Sequence, residues 1–154
     1  MTSPACSAPL TTLRFEAVAV GDALPELAIP ITVTGIVAGA LASRDFTPVH
    51  HDKAAAQAQG MADVFMNILT TNGLVGRYVT DWAGPDAVLR NVAIKLGAPN
   101  LPGDTMKLVG TVKGKDEATR EVVVEIAGKN AWGNHVTGTV RLVLPAASAT
   151  GAAR

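Results

Sequence analysis

The sequence predicts a single α+β domain in which an antiparallel sheet curves around one long buried helix. Three observations predict it. From Ala62 to Val79 the apolar residues recur at three- and four-residue spacing, with a thin polar face. After Pro85 the apolar period switches to two and holds through four consecutive runs. The chain has 154 residues, 48% of them hydrophobic, which is enough for one sizeable core and short for two domains.

In chain order, residues 1–12 read as a flexible leader of small residues and 146–154 as a flexible tail, which leaves 13–145 for the domain. Phe15 to Asp22 leads into a proline-bounded stretch, Leu24 to Pro30. Alternating β-branched residues in Ile31-Thr32-Val33-Thr34 predict a first strand over about 31–35, and Ile36 to Ser43 a short helix ending at the Arg44-Asp45 turn. Pro48 pushes Thr47 out of the helical region. Asp52 is placed to cap an Ala/Gln-rich helix reaching Gln59, and Gly60 ends it and opens the next segment.

The long helix is marked by Val64, Phe65, Ile68, Leu69, Leu74, Val75 and Tyr78, and is expected to be buried on most sides. Gly73 and Gly76 interrupt it; each costs about 1 kcal/mol relative to alanine, so they are expected to permit close backbone packing. The four strands follow, with Val92, Ile94 and Leu96 in phase in the first and Met106, Leu108, Gly110 and Val112 in the second. Val122, Val124 and Ile126 set the third, and Val136, Gly138, Val140, Leu142 and Leu144 the fourth. Pro102-Gly103-Asp104 and Asp116-Glu117-Ala118 supply turns. The helix covers one face of such a sheet. Val109, Val123 and Val143 point to the other face, which predicts that a second subunit completes the buried surface.

Composition excludes several functions. Thirteen basic residues balance thirteen acidic ones, so there is no nucleic-acid footprint, and near-neutrality favours an oligomer. Cys6 is alone and there are three histidines, so neither an internal disulfide nor a structural zinc site is expected. The N-terminus lacks a basic cluster followed by an apolar stretch, and no run approaches the roughly 20 apolar residues that span a bilayer. The chain is expected to be cytoplasmic, with no membrane partner.

The segment richest in chemistry is Arg44-Asp45-Phe46-Thr47-Pro48-Val49-His50-His51-Asp52. Asp45 and His50 stand five positions apart across a proline, on an irregular loop rather than on one helix face. Histidine has the intrinsic pKa for proton transfer near neutrality. A neighbouring aspartate either orients a water or holds a proton if burial raises its pKa. By itself an acid and a histidine at this spacing reads equally well as a loop salt bridge.

This passage, with Gln59-Gly60-Met61 ahead of an apolar helix, resembles the signature of the MaoC-like, type-2 enoyl-CoA hydratase family, whose fold is the hot-dog. Phe15…Val20-Gly21-Asp22 and Pro102-Gly103-Asp104-Thr105 extend the likeness over about residues 15–144. The resemblance implies that Asp45 and His50 jointly activate water. It also implies that the Gly60 peptide N–H holds the thioester oxygen. No metal or cofactor is implied, CoA being part of the substrate. The chain departs from the family in having Arg44 where glycine is usual and Thr47 where an asparagine supports the loop.

A narrower resemblance lies in Ala42 to Asp52, in Asn67-Ile68-Leu69-Thr70 with Gly73-Leu74-Val75, and in Arg77-Tyr78-Val79-Thr80-Asp81-Trp82-Ala83-Gly84-Pro85. These are similar to the small catalytic subunits of steroid side-chain enoyl-CoA hydratases of cholesterol breakdown. They imply a heterodimer or heterotetramer with a second MaoC-like hot-dog subunit, acting on an acyl-CoA. Two other readings compete: a homodimeric (R)-specific hydratase for fatty acyl-CoA, and a non-catalytic hot-dog scaffold. A hot-dog thioesterase would take its acid from the central helix, where Asp63 is the candidate.

His51 is expected to diverge from His50, and His135 to be structural or exposed. Asn67 and Asn72 read as buried, satisfied amides, with loop bonding or pocket lining as alternatives. Trp82 and Trp132 read as core or interface residues. Arg77 and Arg90 reach CoA phosphates only on a reading that no cluster supports, so the CoA site stays unassigned.

Overall fold

In the computed structural model, residues 11–147 are described; Cys6, most of the expected leader and the tail from 148 lie outside the described residues. Ten elements of backbone reduce to five strands and three helices. They run β1 (Ala23–Pro30), α1 (Val33–Ala42), α2 (Lys53–Ala58), α3 (Ile68–Ala83), β2 (Val88–Leu96), β3 (Thr105–Asp116), β4 (Glu121–Asn130) and β5 (Gly133–Val143), with single 3₁₀ turns at Phe15–Ala17 and Pro48–His50. The strands form one antiparallel sheet in the order β1-β3-β4-β5-β2, and α3 lies across its concave face. This is the hot-dog architecture, with the sheet wrapped around a central helix.

The period-two pattern decides which side of the sheet meets the helix. Met106, Leu108, Val112, Val122, Val124, Ile126, Val136, Val140, Leu142 and Leu144 are all buried against Val75, Tyr78 and Val79 of α3. Glycines let the sheet close on that helix. A Cβ at Gly110 would lie 3.3 Å from the Tyr78 ring, and one at Gly128 would lie 2.6 Å from Val136 and 2.9 Å from Leu108. The close approaches expected at Gly73 and Gly76 are absent: nothing lies within 4 Å of a Cβ at Gly73, and Leu89 is at an ordinary 3.7 Å from one at Gly76.

Three local expectations shift. The first strand is Ala23–Pro30 rather than 31–35. As an edge strand it tolerates two prolines, and its register slips between Leu24 and Leu27, around Pro25. Thr32 is helix cap, not strand: its hydroxyl accepts the Gly35 N–H at 3.0 Å, and α1 begins at Val33. The long helix starts at Ile68 rather than Ala62, because Asn67 caps it, and it runs on to Ala83, where Gly84 at φ 92 ends it.

The outward face of the sheet is solvated rather than apolar. Val109 is exposed there, but Lys107–Glu26, Lys113–Glu125 and Arg141–Glu121 ion pairs surround the valines. The apolar excess sits elsewhere. Leu41 at the end of α1, Phe46 on the loop, Ile68 and Leu69 opening α3, and Val88 and Leu89 on edge strand β2 are all exposed. No described helix is long and apolar enough to cross a membrane.

Candidate active site

The loop between α1 and α2 is built by its main chain. The Asp45 N–H donates to Ala40 O at 2.9 Å, and Ser43 Oγ donates to Gly39 O at 2.8 Å, so the loop grows directly out of the last turn of α1. Arg44 makes the bend at φ 57, a left-handed conformation that glycine adopts more readily and that accounts for the family's preference at this position. Pro48 starts a tight turn that carries His50 into the interior, 7% exposed.

The geometry fixes the orientation of both groups. His50 Nδ1–H donates to Phe65 O at 2.7 Å, and the ring packs edge-on against Phe65 at 5.0 Å. With Nδ1 committed to a carbonyl, Nε2 is the face left for chemistry, and it lies 3.3 Å from Asp45 Oδ2. Asp45 Oδ1 accepts from the Thr47 hydroxyl at 2.7 Å and from its N–H at 3.3 Å, while Oδ2 accepts from Asn67 Nδ2 at 2.9 Å. These bonds, Thr47 first and Asn67 second, hold the carboxyl down to about 2 against an ordinary 3.8. Asp45 is therefore a carboxylate near neutral pH; burial acts the other way but is outweighed by these bonds.

Asp45 and His50 open into a cleft of about 320 Å³, walled by Phe65 to Ile68 on one side and by Leu96 to Pro99 with His135 on the other. His135, expected to be structural or exposed, is 1% exposed and faces this cleft. Its Nδ1–H donates to Ala98 O at 2.7 Å, and its Nε2 accepts from the Thr71 hydroxyl at 2.9 Å, which braces the cleft wall against α3. Burial pushes its pKa below the ordinary 6.5 and keeps the imidazole neutral. The sequence signal that finds it is weak: one histidine at an inward strand position.

Gly60 does not stand where the sequence reading expected it. It follows α2 at φ 83 rather than opening the long helix, its N–H donates to Gln57 O at 2.9 Å, and it is not among the residues lining the cleft. The helix N-terminus that does reach the cleft is that of α3. Ile68 is its first residue and lines the cleft, and a first-turn N–H has no partner within its own helix.

The remaining candidates separate. His51 is exposed and outside the cleft. Asp63 is paired with Lys53 at 2.7 Å in the segment before α3, away from Asp45 and His50, which removes the thioesterase acid. Asn67 is buried and satisfied as expected, yet one partner is Asp45 itself. Asn72 is half-buried and lies outside the cleft lining. Trp82 packs on the core, Trp132 is exposed on the β4–β5 hairpin, Arg77 pairs with Asp81, and Arg90 is exposed on β2.

Comparison with known proteins gives this site its context. Residues 15–133 match the MaoC like domain model. The chain is 48% identical over 123 residues, 80% of its own length and 94% of the relative's, to the 3-oxo-4,17-pregnadiene-20-carboxyl-CoA hydratase beta subunit of Mycobacterium tuberculosis. Among solved structures, a chain of the ChsH1-ChsH2 complex from Mycobacterium tuberculosis superimposes with a TM-score of 0.80 at 47% identity, covering 82% of this chain and 98% of that one. R-Hydratase PhaJ1 from Pseudomonas aeruginosa shares the fold, with a TM-score of 0.80 at 20% identity and 88% of each chain covered.

Proposed function

This chain belongs to the MaoC-like domain family, and on that premise we propose that it is a subunit of a steroid side-chain enoyl-CoA hydratase of cholesterol breakdown, with Asp45 and His50 as its catalytic pair. It assembles with a second MaoC-like subunit and adds water across the α,β-double bond of the CoA thioester. The observation that carries the catalytic assignment is His50 Nε2 facing the Asp45 carboxylate at 3.3 Å inside a cleft. A scaffold has no use for an imidazole and a carboxylate held in that arrangement.

A single water satisfies both by donating one hydrogen to each at about 2.6–3.2 Å. Its lone pair is then turned toward the substrate. His50 takes one proton as the oxygen bonds to the β-carbon, and Asp45, remaining ionised, orients the water and steadies the imidazolium. The electron pair of the double bond moves to the thioester oxygen. That charge needs donors, and the Ile68 N–H at the positive end of α3 supplies one, worth about 3 kcal/mol. That Ile68 opens α3 and lines the cleft, while Gly60 does neither, supports assigning to Ile68 the oxyanion role expected of Gly60. The imidazolium then delivers its proton to the α-carbon, which restores His50 and completes the addition. CoA thioesters are intracellular, so the proposed setting is cytoplasmic.

The test is hydration of a steroid side-chain enoyl-CoA by the chain co-expressed with its hot-dog partner, beside Asp45→Asn and His50→Ala. Each variant is expected to lose on the order of 10²–10⁴ in kcat with the assembly intact. Full activity in either variant would sink the catalytic assignment. Activity of the chain alone on short fatty enoyl-CoAs would favour the homodimeric hydratase.

A further inference from the structure

We propose that Asn67 is a positioning residue for this reaction: its carboxamide orients Asp45 Oδ2 toward His50 and anchors that carboxylate to the first turn of α3. The inference rests on the hydratase reading above and deepens it.

Asn67 is 3% exposed, and every polar atom of its side chain is used. Its Oδ1 accepts the Thr70 N–H at 2.9 Å and so caps α3. One hydrogen on Nδ2 goes to Ser43 Oγ at 2.9 Å, and the other to Asp45 Oδ2 at 2.9 Å. Ser43 is itself fixed to the end of α1 through Gly39 O. Capping needs only an acceptor, and serine, threonine or aspartate supply one as well. What asparagine adds is the amino group, and that group points at the carboxylate.

The consequence is geometric. Thr47 holds Oδ1 and Asn67 holds Oδ2, so the carboxylate cannot rotate, and the remaining lone pair of Oδ2 stays directed to Nε2. The same residue sets the start of the helix whose first N–H faces the thioester oxygen. The orienting carboxylate and the proposed oxyanion donor thus share one anchor. His50 from the Pro48 turn and His135 from β5 are the other ionisable groups lining the cleft, and Arg44 is exposed beside Asp45 in the chain. Of these, His50 Nε2 approaches Asp45 Oδ2, at 3.3 Å, and is the group toward which the amide orients the carboxylate.

The experiment uses the assembled complex carrying Asn67→Asp or Asn67→Ser. Both keep an acceptor for the Thr70 N–H, so melting temperatures are expected to stay close to wild type. Both lose the amide donor, and kcat is expected to fall on the order of 10- to 100-fold with little change in KM. Asn67→Asp also sets a second carboxylate against Asp45, and two such groups in contact cannot both ionise. Its acid limb of kcat against pH is therefore expected to move to higher pH, and that of Asn67→Ser to stay nearer wild type. A purely structural role would leave both limbs in place. If Asn67→Asp fails to assemble, the kcat of Asn67→Ser alone decides.

Asp45→Asn is measured beside them. Inactive Asp45→Asn with wild-type kcat and pH profile in both Asn67 variants overturns this inference alone. Active Asp45→Asn overturns the reading beneath it.

Discussion

Gly39→Ala is expected to destabilise the protein although helix propensity points the other way. Gly39 lies in α1 where that helix meets α3 at Thr70. A Cβ at position 39 would lie 2.8 Å from Thr70 Cγ2 and 3.1 Å from its Cβ, with Oγ1 nearer still. Ordinary contact begins at 3.4 Å, so the helices must part by about 0.6 Å at the methyl group alone. Overpacking of this kind costs about 1–3 kcal/mol, against roughly 1 kcal/mol gained by replacing a helical glycine. The balance is a loss of up to about 2 kcal/mol, or up to about 8 °C in Tm for a domain of this size. Gly73→Ala is the matched control, since nothing lies within 4 Å of a Cβ there; it is expected to gain roughly 1 kcal/mol. Removing Thr70 Oγ1 and Cγ2 as Thr70→Ala should rescue Gly39→Ala. Thermal melts of the two glycine variants, Thr70→Ala and the Gly39→Ala/Thr70→Ala double give the coupling directly. Because Asp45 N–H hangs on Ala40 O, kcat of Gly39→Ala in the complex should also fall, on the order of tenfold. A Gly39→Ala protein as stable as Gly73→Ala would refute the packing argument.

The oxyanion donor is tested by Ile68→Pro. Proline suits the first position of a helix, and Asn67 at φ −78, ψ 161 already has the backbone a following proline requires. The variant should fold and lose on the order of 10²–10³ in kcat, whereas Gly60→Ala should cost stability at its φ of 83 and leave kcat alone; the reverse pattern would return the role to Gly60. His135 gives a pH signature of stability. Its folded pKa is depressed below 6.5, so its contribution is complete above 6.5 and is lost as pH falls and the unfolded chain takes up the proton that the folded one resists. Denaturant melts across this range should show a shallower slope for His135→Gln than for wild type, beside a loss of about 1–3 kcal/mol at neutral pH from the broken Thr71 and Ala98 bonds. Identical slopes would mean that burial does not set this histidine's protonation.

The sheet and the central helix were legible because they follow periodicity. Every inward position read for β3 and β4 is buried, since alternation and a single covered face leave a strand no other register. What periodicity does not encode was misplaced. Edge strand β1 has two prolines and a bulge, so its alternation is broken, and the β-branched run after it was mistaken for the strand. The start of α3 was set too early because Val64 and Phe65 are apolar at helical spacing, yet Asn67 caps the helix downstream of them. In the site, Asp45 and His50 were legible as a pair through local spacing, and their proposed role only through the family resemblance. Asn67 was legible only as one alternative, loop bonding, because its bond to Asp45 joins residues 22 apart and only the fold brings them together. Gly60 was misread by the same logic: its position before an apolar run suggested a helix start, and in the structure six residues of irregular chain intervene before the capping asparagine.

The exposed apolar residues give the proposed pairing a physical reason. An enolate forming beside a base survives only where bulk water is kept out, and preorganised donors are worth far more in such a site than in solvent. The single chain leaves its cleft bordered by Ile68 at 50% exposed, next to Leu69 at 50% and with Phe46 at 65% beside Asp45 in the loop. These side chains follow or flank the residues proposed to hold the water and the thioester oxygen, and none is drawn into the core. On the proposed pairing, the partner's task is chemical as well as structural. Covering these residues removes apolar surface from water, and it also dries the region in which Asp45, His50 and the first N–H of α3 must act together.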